Sequence, residues 1–119
     1  LTFFPKCFTG GCASHLASLQ SVFSTLDTHD TYIWAVSVDS AGIQRSFADS
    51  LNLTFPLIPD TDRNLCFLYN AVQTRSDLAF RQTIIIDKGG VVRYIDRQVK
   101  VDSHGPDVLA IMRRLRLLP

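Results

Sequence analysis

Leu1-Thr2-Phe3-Phe4-Pro5-Lys6-Cys7-Phe8-Thr9-Gly10-Gly11-Cys12 reads as a strand, a turn and the start of a helix. Phe3 and Phe4 end an apolar strand, Pro5 turns the chain, and Gly10-Gly11 allow a sharp bend into a helix beginning around Cys12. A thiol on the first turn of a helix faces unpaired N–H groups and the positive end of the dipole, which favour a thiolate. Thr9, three residues before Cys12, can place a hydroxyl beside the sulfur. An isolated cysteine usually only packs; the Gly-Gly pair and the helix start mark Cys12 as a reactive one.

Downstream, Leu16, Leu19, Val22, Phe23 and Leu26 recur at helical spacing, so one helix is expected from Cys12 to about Thr28 with one face on a sheet. Tyr32 to Val38 is nearly continuous in aromatic and β-branched residues and reads as a buried strand. Asp39 or Ser40 caps a helix with Ile43, Phe47 and Leu51 inward, and Thr61 or Asp62 opens a short helix carrying Leu65, Cys66, Leu68 and Tyr69. Thr83–Asp87 and Val91–Ile95 flank Lys88-Gly89-Gly90 as a hairpin. A last helix has Pro106 and Asp107 in its first turn, Val108, Ile111, Leu115 and Leu118 inward, and Arg113, Arg114 and Arg116 on a solvated face. A strand–helix–strand–helix order followed by a hairpin and a closing helix predicts an α/β sandwich with a mixed sheet.

At 119 residues with 46% hydrophobic content, the chain is sized for one domain with a real core. A formal charge of +1 gives no reason to expect nucleic acid or an anionic membrane as a partner. No apolar run approaches the roughly 20 residues of a membrane span. Cys7, Cys12 and Cys66 are an odd number without a Cys-x-x-Cys pair or a metal-ligand spacing. They suit a reducing, cytoplasmic compartment, and neither a metal nor another cofactor is expected.

The spacing Pro5-x-x-x-Thr9-x-x-Cys12 resembles the active-site loop of the peroxiredoxins of the AhpC/TSA type, most closely their Q-type (bacterioferritin-comigratory) branch. Tyr32-Ile33-Trp34-Ala35-Val36-Ser37-Val38-Asp39-Ser40, Phe55-Pro56-Leu57-Ile58-Pro59-Asp60 and the segment from Arg81 through Asp87 to Arg93 resemble three further family segments in the right order. The resemblance implies a thioredoxin-like fold and a thiol-dependent peroxidase, working with thioredoxin or another thiol reductant, as a monomer or homodimer. It also implies one thioredoxin-like domain over residues 1–119 that lacks the family's N-terminal strands and helix.

A thiol with a pKa of about 8.5 is only a few per cent thiolate at neutral pH, so a reactive cysteine needs roughly 2.7 kcal/mol of preferential stabilisation of its anion. The helix start contributes part of this, on the order of 0.3–2 kcal/mol. Arg81, at the start of a strand that lies beside Phe4 in a thioredoxin-like sheet, is the natural second source. Cys12 is then the peroxidatic nucleophile, and Thr9, the Cys12 N–H and Arg81 are the donors around the peroxide. By resemblance, Pro5 shields the site from water. The chain departs from the family twice: Ala17 stands where Q-type members often carry a resolving cysteine, and His15 stands where many have Glu. His15 either aids the thiolate or is an exposed helix residue, the plainer reading. Cys7 and Cys66 remain candidate resolvers beside a one-cysteine cycle closed by an external thiol. A thiol–disulfide exchange protein, or a non-catalytic thioredoxin-like binding module, are the alternatives.

Overall fold

Phe3 and Phe4 are both fully buried, yet they pack into different cores, as the two-residue period of a strand requires. The same alternation separates Ala35 from Val36 and Ile85 from Ile84. A computed structural model describes residues 1–118; Pro119, the last residue of the expected domain, lies outside the described residues. The strands are β1 (Thr2–Phe3), β2 (Ala35–Ser37), β3 (Leu57–Pro59), β4 (Gln82–Ile86) and β5 (Val92–Asp96), and the helices are α1 (Gly10–Ser21), α2 (Phe23–Thr28), α3 (Ala41–Leu51), α4 (Asn64–Leu68) and α5 (His104–Arg114). They form one mixed sheet in the order β3-β2-β1-β4-β5, parallel among β1, β2 and β3 and antiparallel from β1 through β4 to β5. The α/β mixed-sheet expectation holds. One core, with Phe4, Leu16, Leu19, Phe47, Ile85, Val108 and Met112, lies under α1, α3 and α5; the other, with Phe3, Val36, Cys66 and Ile84, lies on the opposite face against α4.

Four expectations need correction. The helix expected from Cys12 to Thr28 starts at Gly10 and breaks at Val22, where the Ser21 hydroxyl bonds back to the Ser18 carbonyl at 2.6 Å and competes with the helical ladder. The strand expected over Tyr32–Val38 shortens to β2, leaving Tyr32 and Trp34 exposed. The segment Phe55–Asp60, given no element in the sequence reading, contributes strand β3, where Pro59 is tolerated because β3 is an edge. On α3, Ile43 is exposed and Gln44 takes the inner position, donating to Ser37 Oγ at 2.9 Å and to the Ile58 carbonyl at 2.8 Å.

Two features position the first helix. Phe8 adopts φ +60°, so the bend into α1 is made there and not at the glycines; its ring packs 5.1 Å from that of Phe47. Gly105, at the start of α5, approaches α1 so closely that a Cβ would stand 2.0 Å from the Ser18 carbonyl oxygen. Its N–H donates to Ser18 Oγ at 2.8 Å and fixes the crossing of the two helices.

Candidate active site

Thr9 is the N-cap of α1, so Cys12 is the third helical residue, on the first turn. The first intrahelical N–H bond is that of Ala13 to the Thr9 carbonyl at 2.9 Å. The Cys12 N–H therefore belongs to the unpaired set at the positive end of the helix. The sulfur itself is enclosed, with Cys12 only 1% exposed.

Arg81 reaches this sulfur from β4. Register pairs Gln82 with Phe3, which sets Arg81 beside Phe4 at the end of β1 nearest the loop. Its Nη2 donates to Cys12 Sγ at 3.2 Å and its Nη1 donates to His15 Nδ1 at 2.8 Å. One guanidinium thus engages two residues of the same helix turn, as its forked donors permit. Gly11 makes the approach possible: a Cβ there would lie 3.3 Å from Nη2. The glycine pair thus belongs to the helix, and Gly11 serves as clearance for Arg81.

His15 is fully buried, which corrects its reading as an exposed helix residue. Burial first, then His104 and Arg81 nearby, hold it far below the ordinary imidazole range, at about 2, so it is neutral. Its Nε2 bonds Thr2 Oγ1 at 2.8 Å. The burial was visible in the spacing, since 15 falls on the same helical face as Cys12, Leu16 and Leu19.

Thr9 sits at the expected position, but its hydroxyl donates to the Lys6 carbonyl at 2.8 Å and not toward the sulfur. Its lone pairs, not its proton, are what it offers a ligand. Pro5 is half-buried and follows Phe4 at the start of the loop. That loop is pinned by Asp39, which accepts the Cys7 N–H at 2.9 Å and the Ser37 hydroxyl at 2.8 Å.

Among the described residues Cys7, Cys12 and Cys66 are all free. Cys7 shares the core of Cys12 but is buried, and burial followed by the Asp39 carboxylate pushes its thiol up to about 12. Cys66 lies in the core on the opposite face of the sheet, where burial followed by Asp60 pushes it up to about 12. Neither is brought to Cys12 as a ready nucleophile.

A cleft of about 600 Å³ lined by Asn70, Phe80, Arg81, Gln82 and Arg97 opens onto the guanidinium. A larger apolar groove of about 630 Å³, with Leu1, Trp34, Ile86 and Lys88 among its walls, lies at the other end of the strands and includes neither Cys12 nor Arg81. Neither space includes Cys12, so the reactive centre is placed by the Arg81–Cys12 hydrogen bond, and the smaller cleft only meets its guanidinium.

Comparison with known proteins points to one family. A family model described as "AhpC/TSA family" matches residues 1–95. The chain is 27% identical over 117 residues to Peroxiredoxin Bcp of Xanthomonas campestris, covering 93% of this chain and 73% of that protein. A solved structure of Xanthomonas campestris bacterioferritin comigratory protein, described for its alkyl peroxide reduction activity, is 26% identical with a TM-score of 0.88, over 95% of this chain and 76% of the other. A mutant of Xylella fastidiosa PrxQ is 25% identical with a TM-score of 0.90, over 97% and 75% respectively.

Proposed function

This chain belongs to the AhpC/TSA family, and we propose that it is a thiol-dependent peroxidase whose nucleophile is Cys12 and whose principal electrostatic donor is Arg81. The observation that carries this reading is the 3.2 Å hydrogen bond from Arg81 Nη2 to Cys12 Sγ at the first turn of α1.

In the first half-reaction the Cys12 thiolate attacks one oxygen of ROOH, the O–O bond breaks, and RO⁻ departs with the electron pair. Charge moves from sulfur to the distal oxygen, so the donors needed are ones that touch both. Arg81 and the Cys12 N–H are the groups available. Thr9, with its own proton engaged by Lys6, accepts the O–H of the peroxide and orients it. Pro5 shields the sulfur from water. The product, Cys12–SOH, condenses with an external thiol to a mixed disulfide and water, and a second thiol releases Cys12–SH.

An external thiol must reach a sulfur that is 1% exposed, so the first turn of α1 opens during recycling. That turn is weakly held: it contains Gly10 and Gly11, has no side-chain cap on Thr9 and carries no acidic residue. Each glycine lowers helix stability by about 1 kcal/mol relative to Ala.

Thioredoxin or a similar dithiol protein is the proposed reductant, and hydrogen peroxide or an organic hydroperoxide the substrate, in a monomer or homodimer. No helix among the described residues is long and apolar enough to cross a membrane. Three free cysteines support a cytoplasmic setting, and the +1 charge supports a partner other than nucleic acid. The test is peroxide turnover with excess thiol: Cys12→Ser should abolish it and Cys66→Ser should leave most of it. Full turnover in Cys12→Ser contradicts the reading, and equal loss in both brings Cys66 into the cycle.

A further inference from the structure

A chain of buried polar groups runs from the Arg81–Cys12 pair into the core between the sheet and helices α1 and α5. Its members are His15 on α1, Thr2 on β1, Thr83 on β4 and His104 at the start of α5, all 5% exposed or less. Thr2 and Thr83 are direct cross-strand partners. The spacings are 2.8 Å from Arg81 Nη1 to His15 Nδ1, 2.8 Å from His15 Nε2 to Thr2 Oγ1, 2.6 Å from Thr2 to Thr83 hydroxyl, and 2.7 Å from Thr83 Oγ1 to His104 Nε2. The rings of His15 and His104 also meet edge to face, with centroids 5.0 Å apart.

The protons in this chain have one consistent arrangement. A guanidinium can only donate, so His15 Nδ1 must accept and the neutral ring carries its proton on Nε2. That proton goes to Thr2, whose single hydroxyl proton goes on to Thr83. The Thr83 proton then goes to His104 Nε2, which must be bare. His104 is left with its proton on Nδ1, 4.0 Å from Asp96 Oδ2 and without a hydrogen-bond partner. Reversing His104 would turn Thr83 back toward Thr2, which already accepts from His15, and would strand a hydroxyl proton in the core.

We propose that His15, Thr2, Thr83 and His104 form a one-way hydrogen-bond relay that holds the Arg81 guanidinium on Cys12, making Thr83 and His104 positioning residues for the peroxide reaction although neither touches the sulfur. The relay works by orientation. Each acceptor fixes the proton of the donor before it, so the tautomer and rotamer of His15, and with them the placing of Arg81 Nη2, are set from the α5 end of the chain. This rests on the peroxidase reading only for the choice of reaction; the relay's effect on the Cys12 thiol is independent of it.

Two measurements test the relay. Long-range proton–nitrogen NMR of the unmodified protein should find His15 protonated at Nε2 and His104 at Nδ1; the opposite tautomer at either ring overturns the relay without any mutation. The second compares Thr83→Val, which keeps the shape and removes the hydroxyl, with Thr83→Ser, which keeps the hydroxyl. In Thr83→Val the alkylation of Cys12 by iodoacetamide at pH 7 and its single-turnover reaction with peroxide should each slow by about tenfold, equivalent to about 1.4 kcal/mol, and Thr83→Ser should restore both to within about twofold. In an Arg81→Lys background Thr83→Val should have no further effect, because the relay acts through the fork of Arg81. Unchanged alkylation in Thr83→Val, or full additivity with Arg81→Lys, overturns the proposal. If the unmodified protein consumes no peroxide, the peroxidase reading fails while the alkylation and NMR results still decide the relay.

Discussion

Gly11 and Arg81 compete for one space: a Cβ on Gly11 would stand 3.3 Å from Arg81 Nη2, the atom that donates to Cys12 Sγ. Gly10, one residue earlier, has nothing within 4 Å of the same construction. Gly10→Ala should stabilise the fold by about 0.5–1 kcal/mol, and Gly11→Ala should gain less, because its methyl group crowds Arg81. The two should differ in reactivity. Gly11→Ala should slow the single-turnover reaction with peroxide by about tenfold or less, whereas Gly10→Ala should leave it unchanged. Stopped-flow rates beside urea unfolding of both variants check this.

Arg81→Lys should not rescue function. A lysine supplies charge and donors but not the planar fork that reaches Cys12 from one nitrogen and His15 from another. The expected loss in peroxide reactivity is on the order of 10²–10³, comparable to removing one donor from a developing oxyanion. Alkylation of Cys12 at pH 7 should slow in parallel; a variant unchanged in both assays would make Arg81 a spectator.

Much of this site was legible in the sequence, and what was not has physical reasons. Cys12 at a helix start follows from local pattern, Arg81 near it follows from the strand order that the family resemblance implies, and the structure brings the two together. The relay was missed because threonines at positions 2 and 83 look like ordinary β-formers, and only register makes them neighbours. The helical phase of His15 matches Leu16 and Leu19 and marks it as buried, but its role is readable only when its partners are known. Phe8 at φ +60° could not be foreseen, because a glycine pair two residues on offered a simpler site for the bend. Edge strand β3 is three residues long and ends on a proline, too short and too irregular a pattern to read as a strand.

Acid should weaken the fold through its two buried histidines. Burial lowers both His15, to about 2, and His104 from their ordinary 6.5. Above pH 6.5 neither state binds these protons and the contribution is complete. Below it, the unfolded chain takes up protons that the folded chain refuses, so stability falls as pH falls. The expected loss between pH 6 and pH 5 is about 1.2 kcal/mol from His15, with His104 adding in the same direction, read from urea midpoints. His104→Gln should reduce that slope; an unchanged slope would show that His104 titrates freely in the fold.

Gly105→Ala should destabilise far more than an ordinary glycine replacement. The added carbon meets backbone, 2.0 Å from the Ser18 carbonyl oxygen, so α1 and α5 must part. Overpacking of this kind costs about 1–3 kcal/mol. Thermal melting should show the drop, whereas Gly42→Ala, at an open position in α3, should melt no lower than the unmodified protein and slightly higher.

The central claim is that Cys12 is the thiol that peroxide oxidises, and that no other cysteine stands ready to condense with it. Its most direct test is to add one equivalent of peroxide in the presence of dimedone, then measure intact mass and map the peptides. With Cys66 across the sheet, Cys7 protonated and buried, and Ala17 one turn along α1, the sulfenic acid should persist long enough to be trapped. The account predicts one dimedone adduct per chain, located on Cys12. An adduct on Cys7 or Cys66, or a Cys7–Cys12 or Cys12–Cys66 disulfide formed faster than the trap reacts, would contradict it.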